Sequence, residues 1–288
     1  MPTFATPQPI AITVDLVLGD VRVVASDRTD TVVEVRPSDP DKAEDIRAAK
    51  NTKVDFAAGS LTVKGPRGWE MYAPFGGKPS VDVTIEVPSG SDLHGTGSVT
   101  RFNTSGELGR VQLKSSVGDM RLDRTGPVEL KTSGGNISID SVAGASGQST
   151  ISTSTGLVRI RTIEGSAIIK NANGDSTVRE LTGQLRVNAA NGNIAVDQVR
   201  GTVIAKTANG SIRVTDAASG TLRLEASSGE VEVAIHPGSA AWLDVHAKYG
   251  AVENLMDAAT EPAASADRVQ VYAHNNFGNV IVRPAIAV

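Results

Sequence analysis

The repeat that decides the fold is clearest in residues 174–214, which read GDSTVRELTGQLRVNAANGNIAVDQVRGTVIAKTANGSIRV. Within this stretch the dipeptide Asn-Gly occurs at Asn191-Gly192 and again at Asn209-Gly210, and a third copy ends at Gly174. The three glycines are spaced 18 residues apart. A fixed period of this length predicts a chain built from one repeated supersecondary unit.

The unit extends in both directions when the sequence is aligned on this glycine. Apolar residues stand two and four positions after it and alternate with other residues, as Ile212 and Val214 do around Arg213. Period-two alternation is typical of a strand with one buried and one solvent-exposed face. The aligned glycines are Gly118, Gly135, Gly156, Gly174, Gly192, Gly210 and Gly229, with looser copies at Gly19, Gly59, Gly97, Gly250 and Gly278.

These repeats fit a stack of small coils. About 18 residues at roughly 3.3 Å each give a circuit of about 60 Å, enough to enclose one layer of aliphatic side chains. A narrow core also agrees with the lack of aromatic residues between Asn103 and Ala241. We therefore predict an all-β fold, a single-stranded parallel β-helix (β-solenoid) that we expect to be right-handed. The alternative is a meander of antiparallel hairpins, for which Asn-Gly is also a strong signal.

The first hundred residues are less regular. One short helix is predicted, with Ser38 or Asp39 as its cap, Pro40 in its first turn and an end near Lys50. We expect a single elongated domain: residues 1–100 supply strands, the helix and a cap, and residues 101–288 supply the regular repeats and a C-terminal cap. The strands predicted in the first part are 10–17, 19–25, 30–36, 59–64 and 81–87.

Three features of the sequence resemble a bacterial β-strand-repeat family of unknown function, whose members are often labelled “putative adhesin”. They are the segments Arg36–Pro40 with Asp45–Ala49, the segment Val83–Gly90, and the tandem glycine-anchored repeats. Together they cover nearly the whole chain. The resemblance implies the repeat architecture and no catalytic or binding residues. The adhesin label implies surface exposure, whereas the first residues lack the basic start and unbroken apolar segment of an export signal.

Composition narrows the functional classes. The 28 basic and 32 acidic residues give a net charge of −4 without a basic block, so a nucleic-acid-binding surface is not indicated. There is no cysteine, which excludes disulfides and thiolate chemistry. No run of about 18 apolar residues predicts a membrane span. We expect a cytoplasmic protein with no cofactor and no metal.

Catalytic motifs are sparse. The four histidines are scattered through the sequence, and neither a G-x-S-x-G elbow nor a P-loop is present. Asp123 and Asp140 occupy the same column in neighbouring repeats, which would place them about 5 Å apart. Such a pair could share a cation or a proton in an enzyme acting on polysaccharides. We favour a salt-bridged, solvated face, since Arg161 and Arg179 follow in that column.

The most distinctive local feature is the segment Gly65–Lys78. It carries Trp69, Tyr72 and Phe75, three of the ten aromatic residues of the chain. These rings could form a contact patch for a partner, a glycan or a membrane surface. They could also fold over the first coil and seal its core, which we consider the stronger interpretation.

The sequence therefore supports a non-enzymatic scaffold or binding module that contacts an unidentified protein or polymer through its long flat faces. A self-assembling structural protein is the second hypothesis, because uncapped coils can join end to end. A β-helix enzyme acting on polysaccharide is the third. The oligomeric state does not follow from the sequence.

Overall fold

The structure, a computed structural model, describes residues 2–66, 79–256 and 267–286, except for the side chains at 145 and 146. The chain divides into two compact units, Met1–Ala143 and Gly144–Val288. Strands dominate both units, and one helix is present in the described part of the chain. The all-β class with one short helix is thus confirmed, whereas a single elongated domain and a right-handed coil stay predictions.

The first unit contains the helix and the irregular strands that the sequence predicts. Its elements are β1 (Thr3–Ala5), β2 (Ala11–Ser26), β3 (Asp30–Pro37), α1 (Ala43–Asn51), β4 (Lys53–Ala57), β5 (Ser60–Lys64), β6 (Val81–Pro88), β7 (Asp92–Ser105), β8 (Glu107–Leu108), β9 (Val111–Val117), β10 (Met120–Thr125) and β11 (Val128–Gly134), followed by β12 (Ile137–Thr155), which crosses the boundary between the units.

The second unit contains the most regular repeats. Its elements after β12 are β13 (Val158–Asn173), β14 (Ser176–Asn191), β15 (Ile194–Asn209), β16 (Ile212–Ser228), β17 (Val231–Ile235), β18 (Ala240–Tyr249), β19 (Val252–Asn254), β20 (Arg268–Phe277) and β21 (Val280–Pro284).

Successive coils stack in parallel and in register, as expected for a β-solenoid. Val178 of β14 pairs with Val196 of β15, which pairs with Val214 of β16, so each step along the stack is one repeat of 18 residues. The same one-repeat offset relates β13 to β14. Antiparallel hairpins are therefore the wrong alternative for these repeats. Asn-Gly marks a corner at which the chain turns towards the next side of its own coil.

The core is a set of aliphatic columns, one residue thick. Ile194 is 1% exposed, and Val196 and its stacked neighbours are equally buried. The three apolar columns found by alignment on the glycine are buried at every described position. They are Met120, Ile137, Val158, Ser176, Ile194, Ile212 and Val231; then Leu122, Ile139, Ile160, Val178, Val196, Val214 and Val233; then Leu113, Leu130, Ile151, Ile169, Val187, Ala205 and Leu224.

A polar column, which the sequence analysis missed, lines the inside of the glycine corner. Three residues before the corner glycine stand buried side chains such as Asn171, Thr207 and Asn275. The Asn171 amide donates to the Gly174 carbonyl at 2.8 Å, and the Asn275 amide donates to the Gly229 carbonyl at 2.8 Å. These bonds satisfy backbone carbonyls at a corner where the chain leaves regular strand geometry.

Outer strands in the first unit run against the stacking direction. The strand β3 is antiparallel to β6, and β4 is antiparallel to β5. The helix α1 packs on β3 and β6. These elements are the irregular capping segments expected for this part of the chain, since antiparallel strands end a parallel stack.

The helix begins later than predicted. Lys42 is its N-cap and makes no capping bond through its side chain, so the prediction of Ser38 or Asp39 as the cap is wrong. The Asp45 carboxylate instead accepts backbone N–H bonds from Asp39 at 3.1 Å and from Ser80 at 2.9 Å. Asp45 is 4% exposed. A long-range bond to the residue before β6, invisible in the sequence, therefore fixes this end of the helix.

The order of the last coils differs from their order in the chain. The strand β20 pairs with β16 on one side and with β18 on the other. Likewise β21 lies between β17 and β19. The last strands of the chain are therefore inserted behind β18 and β19, which form the outermost coil of the second unit. Most of the loop predicted as a C-terminal cap, at 258–267, lies outside the described residues.

Neighbouring glycines provide a matched test of the corner. Gly135 has φ +139°, and a Cβ there would meet the Gly118 carbonyl oxygen of the previous coil closer than real Cβ atoms come to any heavy atom. At Gly134 the nearest atom to an added Cβ is a Val117 methyl at 4.0 Å. We expect Gly135→Ala to lower the free energy of unfolding by about 2 kcal/mol or more, measured by chemical denaturation. Gly134→Ala should change it by less than about 0.5 kcal/mol, and equal effects would contradict this corner geometry.

Candidate functional site

The aromatic residues predicted as a binding or sealing loop, Trp69, Tyr72 and Phe75, lie outside the described residues, which omit 67–78. Their role stays a prediction. The search for a functional surface therefore turns to the aromatic side chains that the structure does place.

Four aromatic side chains gather on the outward face of β18 and β20. The Trp242 and Tyr272 rings are tilted against each other with centroids 5.1 Å apart, and the Tyr249 and Phe277 rings stack at 5.0 Å. Trp242 is 53% exposed, Tyr249 59% and Phe277 57%. We call Trp242, Tyr249, Tyr272 and Phe277 the aromatic face.

Cationic and imidazole side chains flank the aromatic face. The Arg223 guanidinium lies 5.2 Å from the centre of the Tyr272 ring, and the Lys248 ammonium lies 5.4 Å from that of Tyr249. The His246 and His274 rings meet edge to face at 6.4 Å. The expectation that no two histidines form a pair is thus wrong, because the register aligns His246 directly with His274.

In-register stacking explains why the sequence did not reveal this face. Trp242 pairs with Gln270 in the register, and Tyr249 pairs with Phe277, a separation of 28 residues instead of the usual 18. The aromatic residues therefore fall outside the regular columns of the repeat. The weak signal available was that both segments carry aromatic residues, whereas the repeats before them carry none.

A shallow concavity of about 410 Å³ lies next to the aromatic face on the same side of the coils. Lys206, Glu225 and His274 line it, and the Lys206 ammonium and Glu225 carboxylate form an ion pair at 2.7 Å. The surface thus combines flat rings with paired charges and a nearby imidazole, a composition suited to contact rather than to a deep ligand pocket.

The carboxylate pair proposed from the sequence is engaged in structural bonds. Register between β10 and β12 places Asp123 beside Asp140, between the matched pairs Leu122/Ile139 and Arg124/Ser141. The Asp123 carboxylate accepts the Gly106 N–H at 2.8 Å. Among the described residues, no group of three or more His, Cys, Asp or Glu side chains could hold a metal ion.

A second possible acid–base group lies in the second unit. The His236 Nδ1 atom is 2.8 Å from the Asp216 carboxylate, at the edge of a cavity of about 560 Å³. The nearby Ser239 hydroxyl donates to the Ala218 carbonyl at 2.7 Å. This hydroxyl is therefore held by the backbone instead of facing the imidazole as a nucleophile must.

Glu232 forms a charged ladder with arginines from the coils on either side. It lies 2.6 Å from Arg213 and 2.7 Å from Arg283, and its side chain is 13% exposed. Burial by itself would raise the pKa of Glu232, but the hydrogen bond from Arg283 and the charge of Arg213 outweigh it. The pKa of this carboxyl therefore lies below its ordinary value.

The sequence matches the family described as Toastrack DUF4097 over residues 10–276. This chain belongs to that family. A search of curated proteins found no match. None of the helices formed by the residues described in this Toastrack chain has the length and apolarity that crossing a membrane requires.

Solved structures similar to this Toastrack chain share little sequence with it. A “putative cell adhesion protein” from Clostridium sporogenes is 8% identical, covers 98% of both chains and has a TM-score of 0.24. A “putative adhesin” from Bacteroides fragilis is 12% identical over 98% of this chain and 95% of its own, with a TM-score of 0.30. A “putative lipid binding protein” from Parabacteroides distasonis is 12% identical over 99% and 94%, with a TM-score of 0.34.

The Glu232 ladder should make stability depend on pH. Because the folded-state pKa is lowered, the stabilisation is present above the unfolded-state pKa of about 4.3 and is lost as pH falls through the folded value. We expect Glu232→Gln to melt below the wild type at pH 7 and the difference to shrink as pH falls below about 4. Thermal melts across this range measure it, with the exposed Glu164→Gln as control. A difference independent of pH would contradict the ladder.

Proposed function

We propose that this Toastrack chain is a non-enzymatic, adhesin-like binding module that holds a polysaccharide through its aromatic face. The observation that carries the proposal is the exposure of Trp242, Tyr249 and Phe277 on neighbouring in-register strands. Large rings left in water on a rigid surface mark contact sites in soluble proteins, because they gain most when a partner covers them.

The geometry of the face favours a polymer with ring-bearing repeat units. Trp242 with Tyr272 and Tyr249 with Phe277 form two ring pairs at opposite ends of β18 and β20. Parallel strands hold the pairs at a fixed separation, so little side-chain freedom is lost on binding. Two platforms on one rigid face suit a chain that offers flat faces at regular intervals.

The non-enzymatic part of the proposal rests on how the reactive groups are used. Asp123 accepts a backbone bond, Glu232 is held between two arginines, and the Ser239 hydroxyl donates to a carbonyl. Each group stabilises the coil stack. A role as a passive scaffold is consistent with this use.

Co-sedimentation with insoluble polysaccharides tests the proposal. Cellulose, chitin and purified peptidoglycan are the probes, and the protein left in the supernatant gives the affinity. We expect wild-type protein to pellet with at least one of them. Replacing both rings of one platform, Trp242→Ala with Tyr272→Ala, should weaken that binding by roughly tenfold or more, because central aromatic residues carry much of the contact energy.

The matched control removes exposed apolar side chains elsewhere. Val99 and Val117 are 46% and 51% exposed in the first unit, and Val99→Ala with Val117→Ala should leave binding unchanged. Failure of the wild type to bind any of the three polymers would overturn the proposal, as would equal loss in the control. Release of soluble sugar from the bound polymer would overturn its non-enzymatic part.

Location provides a second test. The cytoplasmic location expected from the sequence is a prediction, and it would keep the aromatic face away from polymers of the cell envelope. Fractionation of native cells with an antibody to the protein separates the two cases. Recovery with the envelope supports the adhesin-like role, and recovery only in the cytosol restricts the partner to intracellular polymers.

A further inference from the structure

The outermost coil of the second unit has a free edge. The strand β18 pairs with β20 on one side, and on its other side no strand lies within the described ranges 2–66, 79–256 and 267–286. The strand β19 pairs with β21 in the same one-sided way. A ten-residue edge strand presents a row of unpaired N–H and C=O groups, which is a template for another strand.

The apolar core is also open at this edge. In β20, Val271 and Ala273 are 0% exposed, whereas their register partners Leu243 and Val245 in β18 are only partly buried. On the other side of the coil Val252 is 44% exposed, although its partner Val280 is fully buried. A partner that continued the stack would cover this apolar end, and the area removed from water would favour association.

Outward-facing residues of β18 carry charges of both signs. Along that face the strand presents Trp242, Asp244, His246 and Lys248 in turn, while Val245 faces the core. In an antiparallel pair, residues directly opposite each other project to the same face of the sheet. Two copies of β18 can therefore pair only in registers that set outward residues opposite outward residues.

One such register is self-complementary. If the twofold axis passes through Val245, Asp244 of each copy lies opposite His246 of the other, and Trp242 lies opposite Lys248. Each carboxylate then faces an imidazole, and each indole faces an ammonium, which are favourable cross-strand pairs. The axis relates the two copies of Val245 to each other at the open end of the core.

We propose that two copies of this chain associate by antiparallel pairing of β18 about Val245. The interface is isologous, so the same edge is used by both copies and the assembly closes at two. The occupant is a second copy because the edge complements itself in charge, and this holds whether or not the aromatic face binds a polymer. The dimer places both copies of Trp242 on one outward sheet face.

Analytical ultracentrifugation of charge variants tests the register. Asp244→Lys sets the introduced lysine opposite His246 of the second copy, and His246→Asp sets the introduced aspartate opposite Asp244. Each change counts twice across the axis. We expect wild-type protein to show a concentration-dependent monomer–dimer equilibrium, and each single variant to raise the dimer Kd by roughly tenfold.

A mixture of the two variants separates pairing from folding. In a mixed dimer the introduced lysine faces the introduced aspartate, and the remaining Asp244 faces the remaining His246. The mixture should therefore dimerise at least as tightly as wild type, although each variant alone does not. Asp197→Lys makes the same charge change on β15, which is paired on both sides, and should leave the Kd unchanged.

Three results would overturn the proposal. The first is wild-type protein that stays monomeric up to its highest soluble concentration. The second is a mixture that associates no better than the single variants. The third is strong protection of amides 240–249 from hydrogen exchange in a monomeric sample, which would mean that another part of the same chain covers the edge.

Discussion

Contact between stacked backbones at the glycine corners is the constraint on which the rest of this structure depends. At Gly192 the chain adopts φ +150°, and the site of a Cβ is filled by the Gly174 carbonyl of the coil beneath it. Because neither coil can shift without a clash, each repeat lies directly on the last. Residues of one type then form columns, which gives a core of aliphatic side chains and an inner row of polar ones such as Asn171.

Stacking also dictates where the molecule can make contacts. A column of outward residues is a surface feature, so side chains distant in sequence become neighbours whenever the register aligns them. Tyr249 and Phe277 meet in this way, as do His246 and His274. In the first unit antiparallel strands and a helix cover the outer strands, whereas β18 in the second unit keeps an open edge in the described part of the chain. Aromatic rings and a free edge therefore occur on the same coil.

Reactive side chains in this chain serve the stack itself. Asp123 ties one coil to the next through the Gly106 N–H, and Glu232 joins three coils through Arg213 and Arg283. Parallel coils bring like positions within about 5 Å of each other, so charge of one sign must be offset by the other or by backbone donors. This requirement consumes most of the groups that could otherwise perform chemistry, and it leaves flat, patterned surfaces suited to binding.

The sequence by itself determined the period, the strand faces and the identity of the core, because a local rule repeats with each coil: Ile194 and Val196 alternate with polar neighbours wherever the pattern recurs. It also predicted the helix, although not its start, which depends on a bond between Asp45 and distant Ser80. Only the tertiary structure decided that β20 and β21 are inserted behind β18 and β19, and hence that the aromatic face exists. The physical reason is that strand pairing is set by unpaired backbone edges in space, which carry no mark in the order of the residues.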